Sequence, residues 1–271
     1  MANAKPVALV TGTSSGIGKA AALALVQAGF DVVGTSRNAS HVTPQRGVTL
    51  LDLDVTSDES VSTLVRGVID RFGRIDVLVN NAGTGATGAA EESSVAQDQR
   101  VFDINFFGLV RMTKAVLPHM RAQGRGRIIN VSSVLGLVPA PYMASYAAAK
   151  HAIEGYSESV DHEVREHGVR VLLIEPAYTR TGFDANALPA DAPLPIYAEQ
   201  RQVFGGVMAS AIESGDDPAT VARSIVAAAT DPKPRLRYTA GSTAGRVSAL
   251  RRFVPAWAFD RQIRKLNRLP A

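Results

Sequence analysis

The sequence predicts an α/β fold: a doubly wound parallel sheet of about seven strands with helices on both faces, built as a single domain. Short aliphatic or β-branched runs alternate with longer segments of helical period along most of the 271 residues. That alternation is typical of a parallel sheet whose strands are joined by crossover helices. The first run leads directly into a glycine-rich turn and a helix, as in Rossmann-type sheets.

The strands are predicted from short runs rich in valine, isoleucine and leucine. They cover residues 7–10, 31–35, 49–53, 75–80, 127–131, 169–174 and 235–238. Amphipathic or alanine-rich segments predict helices over residues 17–28, 57–72, 101–121, 146–166 and 218–229. Residues 182–215 break this rhythm with prolines and a glycine pair, and we expect a loop there that serves as a substrate lid.

The composition is that of an ordinary globular protein, with 46% hydrophobic and 20% charged residues. This length suffices for one domain, which we place at residues 1–241, with an extension over residues 242–271 packed on it. Cysteine is absent, so disulfides and thiolate chemistry are excluded. No run reaches the ~20 apolar residues of a membrane span. No leader is recognisable, so we expect a cytoplasmic protein.

Positive charge is concentrated at the carboxyl end of the chain. Ten Lys/Arg and one acid follow Asp231, which gives +9 there and −5 for the rest. We interpret this end as a solvated, partly helical extension, because no nucleic-acid-binding motif accompanies it. Apolar residues among the arginines predict an amphipathic helix pair broken at Pro255. The pair would cover the substrate mouth, pack on a second subunit or make peripheral contact with an anionic membrane.

The turn after the first strand carries three glycines whose spacing suits a phosphate site. Gly12 permits a tight turn, Gly16 lets the backbone approach a pyrophosphate, and Gly18 allows the helix to pack on the strand. The helix N-terminus attracts the anion. The turn fails as a nucleoside-triphosphate loop because Ala20 stands where a magnesium-binding hydroxyl is needed. Ser14, Ser15 and Ile17 complete the predicted cradle.

The spacing T-G-x-x-x-G-x-G from Thr11 resembles the start of the short-chain dehydrogenase/reductase family. Further matches follow in that family's order: Asn80-Asn81-Ala82-Gly83 after the fourth strand, Asn105, Ser133, and Tyr146-x-x-x-Lys150 thirteen residues after the serine. The resemblance covers roughly residues 5–182 and implies a nicotinamide-dependent oxidoreductase with a small-molecule carbonyl or alcohol as substrate.

The resemblance implies a role for each matched position. Tyr146 would exchange a proton with the substrate oxygen, and Lys150, one helical turn away, would lower the tyrosine pKa together with the oxidised nicotinamide. Ser133 would polarise the substrate oxygen, and Asn105 would link Lys150 to solvent through a water or a backbone contact. The predicted cofactor contacts in this part of the chain are Asn81, Ala82, Gly83, Tyr146 and Lys150.

The residues after the second strand favour NADP(H) over NAD(H). Ser36 stands where an NAD-preferring enzyme has a carboxylate for the ribose hydroxyls, and Arg37 can pair with a 2′-phosphate. Asp54 and Val55 resemble the family's adenine-contacting pair, with Asp52 as a competing carboxylate. Pro176, Thr179 and Thr181 resemble the family's motif that binds the nicotinamide carboxamide. Ala177 stands where that motif has a glycine, so its backbone must have a negative φ.

The substrate is predicted only by class. The carboxyl-terminal part resembles the hydroxysteroid and retinol dehydrogenase branch, which suits a lipophilic ketone, aldehyde or secondary alcohol. Apolar candidates for the pocket are Leu135, Val138, Pro139, Tyr142, Met143 and Phe183. The alternatives are a 3-oxoacyl-carrier-protein reductase and a non-catalytic NADP-binding sensor. No acid or histidine cluster has metal spacing, and we expect a homodimer or homotetramer with no nucleic-acid partner.

Overall fold

The structure of the chain, a computed structural model, describes residues 5–183 and 186–269. Its strands are β1 (Val7–Val10), β2 (Asp31–Ser36), β3 (Val48–Asp52), β4 (Val77–Asn80), β5 (Ala86–Thr87), β6 (Gly126–Val131), β7 (Val169–Pro176), β8 (Leu188–Pro189) and β9 (Arg237–Ala240). Its α-helices are α1 (Gly16–Gln27), α2 (Asp58–Phe72), α3 (Val95–Phe102), α4 (Gly108–Ala122), α5 (Ala144–Val164), α6 (Ala198–Glu213), α7 (Pro218–Thr230), α8 (Ser242–Phe253) and α9 (Ala256–Leu266).

Seven strands form one parallel sheet in the order β3-β2-β1-β4-β6-β7-β9. The chain winds outward from β1 through β2 to β3, then crosses back to lay β4 on the other side of β1. This reversal opens a crevice at the carboxyl ends of β1 and β4, where ligands bind in open α/β sheets. The predicted fold class is confirmed, and the strand bounds differ from the predicted ones by at most two residues.

The side chains on the two faces of the sheet pack into two separate hydrophobic cores. In β1, Ala8 and Val10 belong to the core under α1 and α7, whereas Val7 and Leu9 belong to the core under α2, α4 and α5. Successive side chains of a strand point to opposite faces, so a fully buried strand must be apolar throughout. This is why the strands are visible in the sequence as unbroken apolar runs.

The predicted helix over residues 101–121 is wrong at its start and in its continuity. Helical structure begins at Val95, where the Ser94 hydroxyl accepts a hydrogen bond from the Gln97 amide at 3.2 Å. A π-helical turn, Asp103–Phe107, then joins α3 to α4. Helix α3 buries only Val101 fully, so its apolar period is too weak to mark it in the sequence.

Residues 182–215 are not the continuous loop that the sequence predicts, because they contain the sixteen-residue helix α6. Its apolar stripe recurs every fourth residue, at Phe204, Met208 and Ile212. The pair Gly205 and Gly206 falls on the exposed side of the helix and does not break it. Residues 184 and 185 of this stretch lie outside the described residues.

A buried carboxylate fastens the segment that leads into α6. Glu92 accepts hydrogen bonds from the amides of Ala89 at 2.9 Å and Leu194 at 2.7 Å, and it pairs with Arg201 of α6. Beside it, β5 and β8 pair in parallel as a separate two-stranded sheet. The start of α6 is therefore tied to the chain that follows β4.

Two helices follow β9, as the apolar residues among the arginines predict. Helix α8 contacts β9 and buries Ala244, and α9 begins directly after Pro255. In the ranges that the structure describes, no helix is both long enough and apolar enough to cross a bilayer.

Candidate active site

A cleft of about 700 Å³ lies at the carboxyl ends of the central strands. This volume is within the range of a small-molecule or cofactor site, roughly 300–1,000 Å³. Its lining includes the predicted cofactor residues Gly12, Ser14, Ser15, Gly16, Ile17, Gly18, Ser36, Arg37, Asp54, Val55, Asn81, Ala82, Gly83, Pro176, Thr179 and Thr181, together with Ser133, Tyr146 and Lys150. Asn105 lies just behind this wall and lines a smaller neighbouring cavity.

The glycine-rich turn has the shape of a pyrophosphate cradle. Gly12 and Gly16 have φ values of +71° and +56°, which side chains rarely adopt. A methyl group on Gly18 would overlap the Gly12 carbonyl oxygen. Ser15, the N-cap of α1, makes no side-chain hydrogen bond to the helix, so the first amides of α1 keep their capacity to bind an anion. A dinucleotide fits these residues.

The asparagine after β4 holds this turn in place. Asn81 Nδ2 donates to the carbonyl oxygens of Thr11 at 2.9 Å and Gly12 at 3.0 Å. In return the Thr11 hydroxyl accepts from the amides of Asn81 and Ala82, both at 2.9 Å. The side chain of Asn81 therefore shapes the cradle.

The far end of the cleft carries Arg37 and no carboxylate from β2. Asp52, the competing candidate, pairs with Ser36 in the strand register, accepts from the Ala39 amide at 2.7 Å and does not line the cleft. Asp54 does line it. Hydrogen bonds from the hydroxyl and amide of Thr56 lower the pKa of Asp54, and the positive charge of Arg37 adds to the effect.

Tyr146 and Lys150 lie one turn apart on α5 and are both buried at the floor of the cleft. Lys150 Nζ donates to the carbonyl oxygen of Val131, the last residue of β6, at 2.8 Å and lies 5.5 Å from the centre of the tyrosine ring. The Tyr146 hydroxyl is hydrogen-bonded to Ser133, two residues beyond β6. The structure thus brings together three of the four predicted catalytic side chains.

Burial has the largest effect on the pKa values of both Tyr146 and Lys150. It raises the pKa of Tyr146 above its usual value because the phenolate loses hydration, and the hydrogen bond from Ser133 offsets this only in part. Burial also lowers the pKa of Lys150 to about 8, against the opposing effect of the Glu154 carboxylate. The sequence suggested charge stabilisation by lysine, whereas in the structure desolvation dominates both groups.

Asn105 stands in the π-helical turn and is tied to the loop after β4. Its Oδ1 accepts from the Thr84 amide at 3.0 Å, and its Nδ2 donates to the carbonyl oxygens of Thr84 at 2.9 Å and Val101 at 3.0 Å. A cavity of about 10 Å³ lies between Asn105 and Lys150, close to the room that one water needs. The side chain thus has a structural task of its own beside the expected solvent link.

The part of the cleft in front of Tyr146, where the sequence predicts the substrate, is largely apolar. Leu135, Met143 and Phe183 line it as predicted, whereas Val138, Pro139 and Tyr142 do not. Tyr142 instead has a φ of +62° and stacks on Phe204 behind the wall. Met208 and Ile212 of α6 also line the cleft and were missed, because the sequence was interpreted as a loop there. Their four-residue spacing from Phe204 was the available signal.

The segment after β7 completes the cofactor side. Ala177 is not among the residues with positive φ in the described chain. An alanine can therefore replace the family's glycine at this position, as the sequence requires. Thr181 lies against Gly16, where an added Cβ would stand 3.2 Å from its methyl group. The glycine-rich turn and the end of the predicted carboxamide-binding motif therefore lie against each other.

A buried acidic cluster lies behind α5. Arg237 of β9 pairs with Glu154 and Glu158 of α5 and with Glu175 of β7. Burial and the neighbouring Glu154 raise the pKa of Glu175 to about 7, although Arg237 opposes the rise. Among the described residues no group of three acids or histidines is arranged to hold a metal ion.

Replacing Glu175 with glutamine should stabilise the protein only at higher pH. The folded pKa lies above the usual 4.5, so ionisation of Glu175 costs folding stability as the pH rises from 4.5 through 7. Glutamine imitates the neutral acid, so the variant should match the parent at pH 4, below the unfolded pKa. It should exceed the parent by about 2 kcal/mol at pH 8 in urea unfolding. If the difference in unfolding free energy between variant and parent were the same at both pH values, the raised pKa of Glu175 would be contradicted.

Comparison with known proteins agrees with this geometry. A family model described as short chain dehydrogenase matches residues 6–192. A 3-ketodihydrosphingosine reductase of Bacteroides thetaiotaomicron is 44% identical over 180 residues, 66% of this chain and 66% of that protein. Retinol dehydrogenase 8 of Bos taurus is 40% identical over 200 residues, 69% of this chain and 64% of that protein. The matches thus span about two thirds of these relatives.

A solved structure extends the likeness to almost the whole chain. A short chain dehydrogenase/reductase from Burkholderia phymatum in complex with NAD has a TM-score of 0.79 at 26% identity, with 95% of each chain covered. A nicotinamide dinucleotide is therefore consistent with the shape of the cradle at Gly12–Gly18 and with the similarity to this NAD-bound structure.

Proposed function

The chain belongs to the short-chain dehydrogenase/reductase family of oxidoreductases, and on that premise we propose that it interconverts a lipophilic carbonyl compound and its alcohol with NADP(H). One observation carries the proposal. The Tyr146 hydroxyl, hydrogen-bonded to Ser133 and backed by buried Lys150, faces the apolar part of a cleft whose other end is a dinucleotide cradle. A non-catalytic sensor has no need of such a proton donor.

The three side chains would divide the work of proton transfer. When bound, the nicotinamide would supply a hydride to the carbonyl carbon or accept one from the carbon that bears the alcohol. Ser133 would hold the substrate oxygen beside Tyr146, and the phenol would donate its proton as negative charge develops there. Because burial raises the pKa of Tyr146, the group holds its proton at neutral pH and can donate it when a carbonyl is reduced. Lys150, fixed by Val131, would balance the charge of the tyrosine after it has donated.

The preference for NADP(H) is proposed from Arg37. Changing Arg37 to aspartate should lower kcat/KM with NADPH about tenfold to a hundredfold, because the ion pair with the 2′-phosphate is lost and a like charge replaces it. Activity with NADH should stay or rise. Arg46, an exposed arginine before β3 that does not line the cleft, provides the control Arg46→Asp. If the ratio of NADPH to NADH activity were the same in both variants, the assignment would fail.

The substrate class is proposed from the apolar wall and from the relatives. Leu135, Met143, Phe183, Met208 and Ile212 surround the space in front of Tyr146. The relatives named above are a reductase of a long-chain ketone and a retinol dehydrogenase, so both act on lipids by name. These two observations support a lipophilic ketone, aldehyde or secondary alcohol.

The proposal is tested by measuring NADPH oxidation against matched carbonyl compounds. The panel is a long-chain 3-ketone, retinaldehyde, a ketosteroid, a β-keto thioester on an acyl carrier protein, and a short ketone with the same reacting group as the long-chain one. We expect kcat/KM to rise with chain length. Turnover confined to the carrier-bound thioester would replace the proposal with an acyl-carrier reductase.

A further inference from the structure

The carboxyl-terminal helices expose large apolar side chains to solvent. Nine large hydrophobic side chains are exposed in the described part of the chain, and four of them lie within residues 250–266: Leu250, Phe253, Trp257 and Leu266. Phe253 is 78% exposed and Trp257 is 72% exposed. Single exposed apolar residues are normal on a protein, but a local concentration of them marks a site of interaction.

The same helices are strongly basic. Residues 242–271 hold seven Lys/Arg and one acid, Asp260. Arg261 is exposed and lies four residues after Trp257 on α9, so the two side chains share a helix face. At the end of α8, the guanidinium of Arg252 lies 5.7 Å from the ring centre of Phe253. Each of the two helices therefore carries an exposed aromatic ring beside an exposed guanidinium group.

The two helices lie beside the substrate side of the cleft. Arg251 Nε donates to the carbonyl oxygen of Leu137 at 3.1 Å, and Leu137 directly follows the turn Val134–Gly136, which α8 also contacts. Val134 and Leu135 of that turn line the cleft. Of the described residues after β9, none lines the cleft itself, so the helices flank it and keep their outer faces exposed.

We propose that α8 and α9 form a peripheral docking surface for an anionic phospholipid bilayer. Phe253 and Trp257 would enter the interface between headgroups and acyl chains, while Arg252 and Arg261 face lipid phosphates. Leu250, three residues before Phe253 on α8, adds aliphatic surface, which favours acyl chains over nucleic-acid bases. A second copy of the surface would bring together two segments of the same positive charge, which opposes self-association through it. Failure of this proposal would leave the oxidoreductase proposal untouched.

The chain contains a single tryptophan, which makes the experiment specific to this surface. Vesicles of phosphatidylglycerol and phosphatidylcholine should shift the emission of Trp257 to shorter wavelength, and lipids brominated on the acyl chain should quench it. Vesicles of phosphatidylcholine alone should have at least about tenfold weaker affinity, and added salt should weaken binding to the anionic ones.

Variants then separate the apolar and the charged contributions in vesicle co-sedimentation. Phe253→Ser with Trp257→Ser should weaken binding at least about tenfold, whereas Val95→Ser, which also removes an exposed apolar side chain, should not. Arg252→Glu with Arg261→Glu should weaken it at least as much, and Arg66→Glu on α2 provides the control for charge reversal. Circular dichroism and NADPH oxidation verify that each variant is folded.

Three results would overturn the proposal. One is the absence of both an emission shift and co-sedimentation with anionic vesicles. Another is equal loss of binding in Val95→Ser and in the Phe253 and Trp257 variant. The third is an emission shift of Trp257 produced without vesicles. If raising the protein concentration produced it, the surface would bind a second copy of the chain. If a single-stranded oligonucleotide that vesicles do not displace produced it, the surface would bind nucleic acid.

Discussion

Replacing Tyr146 with phenylalanine should lower kcat/KM by about 10²–10⁴-fold, the usual contribution of a positioned general acid. Phenylalanine keeps the ring, which packs against Phe183 at 5.5 Å between centroids, and removes only the hydroxyl bonded to Ser133. The cradle for the cofactor is untouched, so the dissociation constant of NADPH should change little. Steady-state kinetics and NADPH fluorescence titration measure the two quantities.

A matched control lies on the same helix. Tyr156, ten residues further along α5, packs edge to face against Phe106 and does not line the cleft. Tyr156→Phe also loses one hydroxyl from α5, and its kcat/KM should stay close to that of the parent. Equal activity of the Tyr146 and Tyr156 variants would remove Tyr146 from the proton transfer.

Gly18→Ala should abolish productive cofactor binding and destabilise the protein. The added Cβ would overlap the Gly12 carbonyl oxygen and the Asn81 side chain, so the turn must move away from α1. A displacement of about 1 Å can cost a hundredfold in rate, and we expect at least that loss in kcat/KM for NADPH. Overpacking should lower the free energy of unfolding by about 1–3 kcal/mol, measured in urea.

The comparison variant is Gly67→Ala in the middle of α2. An added Cβ at Gly67 meets no atom within 4 Å, and alanine is the better helix former by about 1 kcal/mol. That variant should be fully active and slightly more stable than the parent. If Gly18→Ala behaved in the same way, the cradle would not depend on close packing at this glycine.

The sheet could be predicted from the sequence because burial on both faces forces its strands to be apolar throughout. Residues Val7–Val10 illustrate this, since each side chain contributes to one of the two cores. Helix α3 and helix α6 could not be placed with the same ease. The first buries only Val101 fully, and the second carries two glycines on its exposed side, so neither has the composition of a typical helix.

The residues of the candidate site could be predicted from the sequence more fully than their pKa values could. The spacing of Tyr146 and Lys150 on a helix brings them together whatever surrounds them. Their pKa values depend on burial, which arises from α5 packing on the sheet and from α6 closing the apolar side. The second set of contacts made by Asn105 was equally hidden, because it depends on the π-helical turn that places its amide against Thr84.

The tie at Glu92 has a consequence for protein engineering. It anchors the start of α6 through Leu194 and Arg201, so the helix is held to the segment between β5 and α3. Exchanging Met208 and Ile212 for other apolar residues should therefore change the substrate range without altering the nucleotide cradle, and the apolar character keeps the burial of Tyr146, which packs in the same cluster. A library confined to those positions would sample specificity while the reaction itself stays constant.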